Sequence, residues 1–246
     1  MIMKANWKIA LMCFATLAFV ACKDKNGADD PGKSLFDYNP PIEINDHSIA
    51  DWDNLDQSKV YEATLPESPL WSALQKVRVY ADSVCIFYQL TFDPDQMTSH
   101  TDVDAMHIYI NADNNDETGG FWDLFDSPNK GNTDIMFEGA LWDANGMELS
   151  YEPSFSTWSG APNADGWSWT EVPVSNKVSS SQFVDNNVIE GRLVIELIPF
   201  QFNDRAFEIG FDIQQNWENV GLLPQANTPD GQLIGRSKKL YVAFDK

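Results

Sequence analysis

Apolar residues in this chain return at every second position, and after residue 40 no stretch of useful length has the three-to-four spacing of a helix. In VCIFYQLTF, Val84, Ile86, Tyr88, Leu90 and Phe92 fall on one face, with Cys85, Phe87, Gln89 and Thr91 on the other. The same alternation runs through KVRVY (Val77, Val79), MHIYI (Met106, Ile108, Ile110), GRLVIELIPF (Leu193, Ile195, Leu197), FEIGFDIQQ (Phe207, Ile209, Phe211, Ile213) and KKLYVAFD (Leu240, Val242, Phe244). Successive side chains of a pleated strand point to opposite faces, so a period of two marks a half-buried sheet. Asp82-Ser83 forms a short link between two runs, and Asn145-Gly146 predicts a hairpin joining TDIMFEGALW to MELSYEP. Links this short join antiparallel neighbours. The expected fold is all-β: a single-domain, jelly-roll-like antiparallel β-sandwich over residues 41–246.

The chain ahead of residue 41 reads differently. Lys4 and Lys8 precede an apolar run from Ile9 to Val20 that is too short for a spanning helix. The run ends in Phe19-Val20-Ala21-Cys22, a small residue directly before cysteine, which resembles the lipobox of bacterial lipoproteins. Residues 1–21 are therefore expected to be a signal peptide and Cys22 the lipid anchor. Residues 22–40, with CKDKNGADDPGKS, are charged and broken by Gly and Pro, the composition of a flexible tether. Lys23 stands where many enterobacterial inner-membrane lipoproteins carry aspartate, and the lysine–acid mixture is similar to export signals of Bacteroides-like surface lipoproteins. The expected location is the outer membrane, facing periplasm or exterior, with membrane contact through the lipid alone. With Cys13 in the signal and Cys22 acylated, Cys85 has no intrachain partner, and neither a disulfide framework nor a thiolate metal cluster can form.

Thirty-seven acidic residues against 16 basic ones give a net charge of −21. Nucleic-acid binding needs clustered Lys and Arg to neutralise phosphate, so that class of partner is excluded. Carboxylate surplus is compatible with calcium and with neutral sugars.

Within MHIYINADNNDETGG, the strand gives way to short polar residues that place Asn111, Asp113, Asn115 and Asp116 on a tight turn. Hard cations take oxygen donors in such arrangements. The loop is no EF-hand, since its sixth position would be Asp116 and its twelfth Trp122. A calcium site here would be irregular and completed by Asp123, Asp126 or Asp134; the alternative is an Asx-rich turn that caps its own backbone. Tryptophans follow the loop: Trp122, Trp142, Trp158, Trp167 and Trp169, several among Gly, Ser, Asn and Pro. An indole presents a flat apolar face on which the C–H face of a pyranose stacks, while nearby amides and carboxylates bind the hydroxyls. Trp122, Trp142, Trp158, Asn216 and Trp217 are the candidate ligand-binding residues; Trp52 and Trp71, beside apolar strand residues, read as structural. No catalytic set is named, because the chain has no G-x-S-x-G elbow, H-E-x-x-H motif, phosphate loop or dinucleotide fingerprint.

Taken in order, IEINDHSIADWDNL with Asp51-Trp52, as an opening strand and turn, then KVRVYADSVCIFYQLTF, IYINADNNDETGG, GRLVIELIPF and EIGFDIQQN resemble the successive segments of family 9 carbohydrate-binding modules and the related DOMON domains. The matched order runs from Ile42 to Phe244. The resemblance implies a β-sandwich that binds sugar without catalysis, sometimes with structural calcium. The chain departs from the family where an Asn-Asp pair is usual: Asn216 is followed by Trp217, so the polar grip on a sugar is altered. Some relatives hold haem through His and Met, but nothing in the spacing of Met97, His100, Met106 and His107 requires it. The functional expectation is glycan capture by a lipid-anchored envelope protein. The alternatives are an interaction subunit among envelope partners without a sugar site and, with less support, a glycoside-active enzyme.

Overall fold

The computed structural model describes residues 38–65, 73–93, 104–120, 132–141, 151–162, 164, 166–185, 187–215, 218–224 and 239–245. Twelve strands follow in order: β1 Tyr61–Thr64, β2 Leu74–Ala81, β3 Cys85–Phe92, β4 Asp104–Asn111, β5 Ile135–Ala140, β6 Ser154–Trp158, β7 Trp169–Glu171, β8 Ser179–Val184, β9 Val188–Val194, β10 Ala206–Gln215, β11 Glu218–Leu223 and β12 Leu240–Ala243. They form two antiparallel sheets. The smaller runs β1-β2-β3-β9-β8, and the larger β11-β10-β4-β5-β6-β7, with β12 on the first half of β10. Among the described residues no helix is long and apolar enough to cross a membrane.

The alternation assigns the faces. Val77, Val79, Ile86, Tyr88 and Leu90 from the smaller sheet meet Met106, Ile108, Ile110, Phe137, Phe207, Ile209 and Phe211 from the larger in one buried core. The Tyr88 and Phe211 rings lie 6.1 Å apart across it. Burying each such side chain contributes on the order of 1.5–3 kcal/mol. The two sheets are thus a sandwich, as the spacing of two requires.

Three local expectations are corrected. The IEINDHSIADWDNL segment is not a strand; it is irregular with one helical turn, α1, at Asp51–Asn54. Ile42, Ile44 and Trp52 lay it over Tyr80, Cys85, Phe87 and Val194, covering the outer face of the smaller sheet. The partner of β5 is β6, and Tyr151 to Pro153 are outside any strand; Pro153 has no N–H for a ladder, and residues 142–150, with the Asn-Gly pair, lie outside the described residues. In GRLVIELIPF the strand ends at Val194 and a 3-10 turn follows over Ile195–Leu197, so Ile195 and Leu197 are only partly buried.

Candidate functional site

One sandwich face is covered by the chain's own beginning, and the other carries charge. On the outer face of the larger sheet, register places Asp212 of β10 opposite His107 of β4, and His107 opposite Glu138 of β5. Cross-strand neighbours on one face sit within side-chain reach, and here they bond in a row. His107 Nδ1 is 2.6 Å from Asp212 Oδ1, and its Nε2 is 2.9 Å from Glu138 Oε2. Gln214 Nε2 donates to Asp212 Oδ2 at 3.0 Å. His107 and Asp212 are fully buried, whereas the Glu138 side chain is 30% exposed. Burial alone would strip a proton from His107. The charge of Asp212 and hydrogen bonds to both carboxylates outweigh it and lift its pKa to about 9. Both ring nitrogens therefore carry hydrogen and donate to the flanking carboxylates at neutral pH.

Aromatic rings surround this row. Tyr109 stacks on His107 with centroids 5.5 Å apart, and Trp169 lies 6.1 Å beyond Tyr109. Trp167 approaches the imidazolium edge-on at 6.0 Å and is 51% exposed, the only tryptophan among the exposed large hydrophobics of the described residues. An exposed indole beside a half-open carboxylate, with a buried imidazolium behind, can take the apolar face of a sugar ring and accept hydrogen bonds from its hydroxyls.

Trp158 has a different place. A Cβ added at Gly120 or at Gly160 would meet its ring at 2.4 Å, so the two glycines press against it, and Trp169 meets it edge-on at 5.4 Å. Its indole N–H donates to Ala161 O at 3.0 Å. Trp158, partly buried, thus packs against both glycines. Trp122, Trp142, Asn216, Trp217, Asp123, Asp126 and Cys22 lie outside the described residues. Sequence reading missed Trp167 as the exposed indole and the whole His107 row; the signal for the row was polar His107, Glu138 and Asp212 at outward positions of alternating strands.

The acidic loop spends its oxygens on itself. Asp113 accepts the Thr118 hydroxyl at 3.1 and 2.9 Å and the Asn115 N–H at 2.9 Å. Asn111 Oδ1 accepts the Asn115 N–H at 3.3 Å, and Asn115 Oδ1 accepts the Glu117 N–H at 3.1 Å. Asp134 Oδ2 accepts the Ala112 N–H at 2.8 Å. Asn114, with φ of 55°, makes the left-handed corner that Asn tolerates. These are Asx-turn bonds. Among the described residues no group of three or more His, Cys, Asp or Glu converges as a metal ion requires; Asp123 and Asp126, two of the expected donors, lie outside them.

A hollow of about 670 Å³ opens between β7 and β8, lined by Ser154, Ser179, Ser180, Glu152, Glu171 and Asn176 among others. Its aromatic lining residues, Tyr151 and Phe155, are buried. It offers no exposed ring for stacking.

No protein-family model matches the chain, and no curated protein matches it. A carbohydrate-binding module of family 9 from Caldicellulosiruptor kristjanssonii, solved in complex with cellotriose, is similar to it at 7% identity and a TM-score of 0.38, over 85% of this chain and 92% of that one.

Proposed function

We propose that this is a non-catalytic glycan-binding protein of the cell envelope, anchored through Cys22 and capturing oligo- or polysaccharide on the outer face of its larger sheet. The observation that carries the reading is exposed Trp167, edge-on to His107, beside the half-open carboxylate of Glu138. The indole supplies the stacking surface. Glu138 accepts hydroxyl hydrogen bonds, and His107 fixes its orientation from behind. Asp212 holds the other side of the imidazole and is itself fixed by Gln214. The same geometry argues against glycoside hydrolysis. Both carboxylates of the row are engaged by the imidazole and Asp212 is sealed from solvent, so the row does not present two open carboxylates to flank a glycosidic bond.

The anchoring part rests on the small residue before Cys22 and on the tether composition of residues 22–40. Replacing Cys22 with Ser should move the protein from the membrane to the soluble fraction; retention in the membrane would sink that part alone. For the ligand, the full-length protein is titrated with β-glucan, xylan, mannan and galactan oligosaccharides while tryptophan fluorescence is followed. Saturable change with at least one is expected, and Trp167→Ala should weaken it at least tenfold. A panel with no saturable member would leave an envelope interaction subunit as the better description.

A further inference from the structure

Along one side of the sandwich the two sheets end without joining. β8 is the last strand of the smaller sheet and β7 the last of the larger, and the hollow of about 670 Å³ lies between them. Ser179, Ser180 and Ser181 line it in unbroken succession. Successive strand side chains alternate faces, so the hollow meets the edge of β8 and not one of its faces. Pairing decides what that edge offers. Val194 N donates to Val178 O at 2.8 Å, which puts Val178 among the residues bonded to β9; by alternation Ser180, Gln182 and Val184 are bonded to β9 as well. Ser179, Ser181 and Phe183 therefore turn their N–H and C=O groups outward. Among the described residues those groups have no hydrogen-bond partner, and all three residues are partly exposed. We propose that β8 is a docking edge that takes an extended, basic segment of a partner protein as an added strand.

Sheet edges are ordinarily protected by brevity, charge, proline or a bulge. Two other edges of this molecule show it. β1 has four residues and an ion pair of Glu62 with Lys76 at 2.7 Å, and β7 has three residues with Pro173 close behind. β8 has six residues, no charge, no proline and no break in its register with β9. The hollow beside it suits a strand. Its other wall carries half-buried Val172 and Val174, which can receive alternate side chains, and exposed Glu152 and Glu171. No lysine or arginine lines it. Arg192, opposite Ser180, is turned to the outer face of the smaller sheet and donates to Ser180 Oγ at 3.0 Å. Opposite charge thus selects a basic segment, and a second copy of a chain with net charge −21 is repelled. The ladder supplies affinity, and the alternating side chains supply selection. With no exposed ring, the hollow is poorly made for sugar and well made for a backbone.

The test titrates the full-length protein into a fluorescent peptide of about nine alternating Lys and Val residues, long enough to cover this edge, in about 0.15 M salt to screen loose attraction. A saturable rise in anisotropy is expected. The same peptide N-methylated at every residue, which cannot donate to a ladder, and a Glu-Val counterpart should each bind at least about tenfold more weakly. In amide exchange, saturating Lys-Val peptide should slow the Ser179, Ser181 and Phe183 N–H groups and leave Ser180 and Gln182, already bonded to β9, as they were. Ser181→Pro deletes one outward N–H without touching the β9 ladder, and Glu152→Lys with Glu171→Lys reverses the charge; each should weaken binding about tenfold or more. If Ser181→Pro does not fold, the N-methylated peptide and the surface glutamate variant decide. No saturable binding, equal binding of the N-methylated peptide, or no slowing at the three outward N–H groups overturns the inference. So does a protein that sediments alone as a dimer and becomes monomeric with Ser181→Pro, since the occupant is then a second copy. None of these readouts involves glycan.

Discussion

Trp158 and Trp167 come from the same tryptophan-rich stretch and do opposite work. Trp158 fills the gap left by two missing Cβ atoms, at Gly120 and Gly160, while Trp167 lies half in solvent over His107. Two substitutions separate the roles. Trp167→Ala should weaken glycan binding by at least tenfold, since one lost ring stack removes about 0.5–1.5 kcal/mol beyond the area it buries. Its urea midpoint should stay within error of wild type. Trp158→Ala should instead cost about 3 kcal/mol of stability through the cavity between the glycines, leaving the affinity of the surviving folded protein close to normal. If Trp167→Ala proves the destabilising one, the assignment of platform and wedge is reversed. Sequence could not make this distinction. Indole in a Gly- and Ser-rich stretch looks the same whether it faces sugar or glycine, and the contact with Gly120 is set by sheet pairing far along the chain.

At the scale of elements, alternation was a sound guide to which faces meet. Ile86, Tyr88 and Leu90, Met106, Ile108 and Ile110, and Phe207, Ile209 and Phe211 all point inward as a period of two demands. It was silent about order. The row Asp212–His107–Glu138 exists only because β10 and β5 flank β4 in matching register, a pairing between distant segments that no local spacing encodes. The opening segment departs from the strand that the resemblance implies: Ile42, Ile44 and Trp52 all turn toward one apolar face of the smaller sheet. What holds it there is specific. Trp52 Nε1 donates to Glu190 Oε2 at 2.6 Å, Gln182 Nε2 donates to Glu190 Oε1 at 3.1 Å, and the Arg78 guanidinium lies 5.2 Å from the Trp52 ring centre. Trp52→Phe keeps most of the apolar surface and removes the N–H, leaving one oxygen of a buried carboxylate unmet. The expected cost is about 1–3 kcal/mol, read as a lower denaturant midpoint. Amide exchange should also speed up across residues 42–52 more than across β3 or β9. Uniform acceleration through the sandwich would mean the segment does not open as a unit.

For the molecule as a whole, titration couples these sites. Desolvation raises Asp134 to about 6 and Glu190 to about 7, the latter against hydrogen bonds from Trp52 and Gln182 that pull it down. His107 is raised to about 9 by its two carboxylates against the opposing effect of burial. All three folded values lie above the unfolded ones, so each group contributes stability that is complete below its unfolded pKa and lost as pH rises through the folded one. The losses come in sequence, Asp134 and Glu190 between about pH 4 and 7, then His107 between about 6.5 and 9. Lys239, lowered to about 8, has the opposite sign and returns some stability above that pH. Self-repulsion in a chain of net charge −21 and isoelectric point near 4.2 grows in the same direction as the losses. The thermal midpoint should therefore be highest at about pH 4 and fall by about 10 °C by pH 9. His107→Gln removes the last titration, so its curve should start lower at pH 6 and run flatter between pH 7 and 9, closing on wild type. Circular dichroism melts at unit steps of pH give the comparison. A wild-type maximum at pH 8, or parallel curves for wild type and His107→Gln, would show that the buried imidazolium does not hold its proton against Asp212 and Glu138 in the way the row requires.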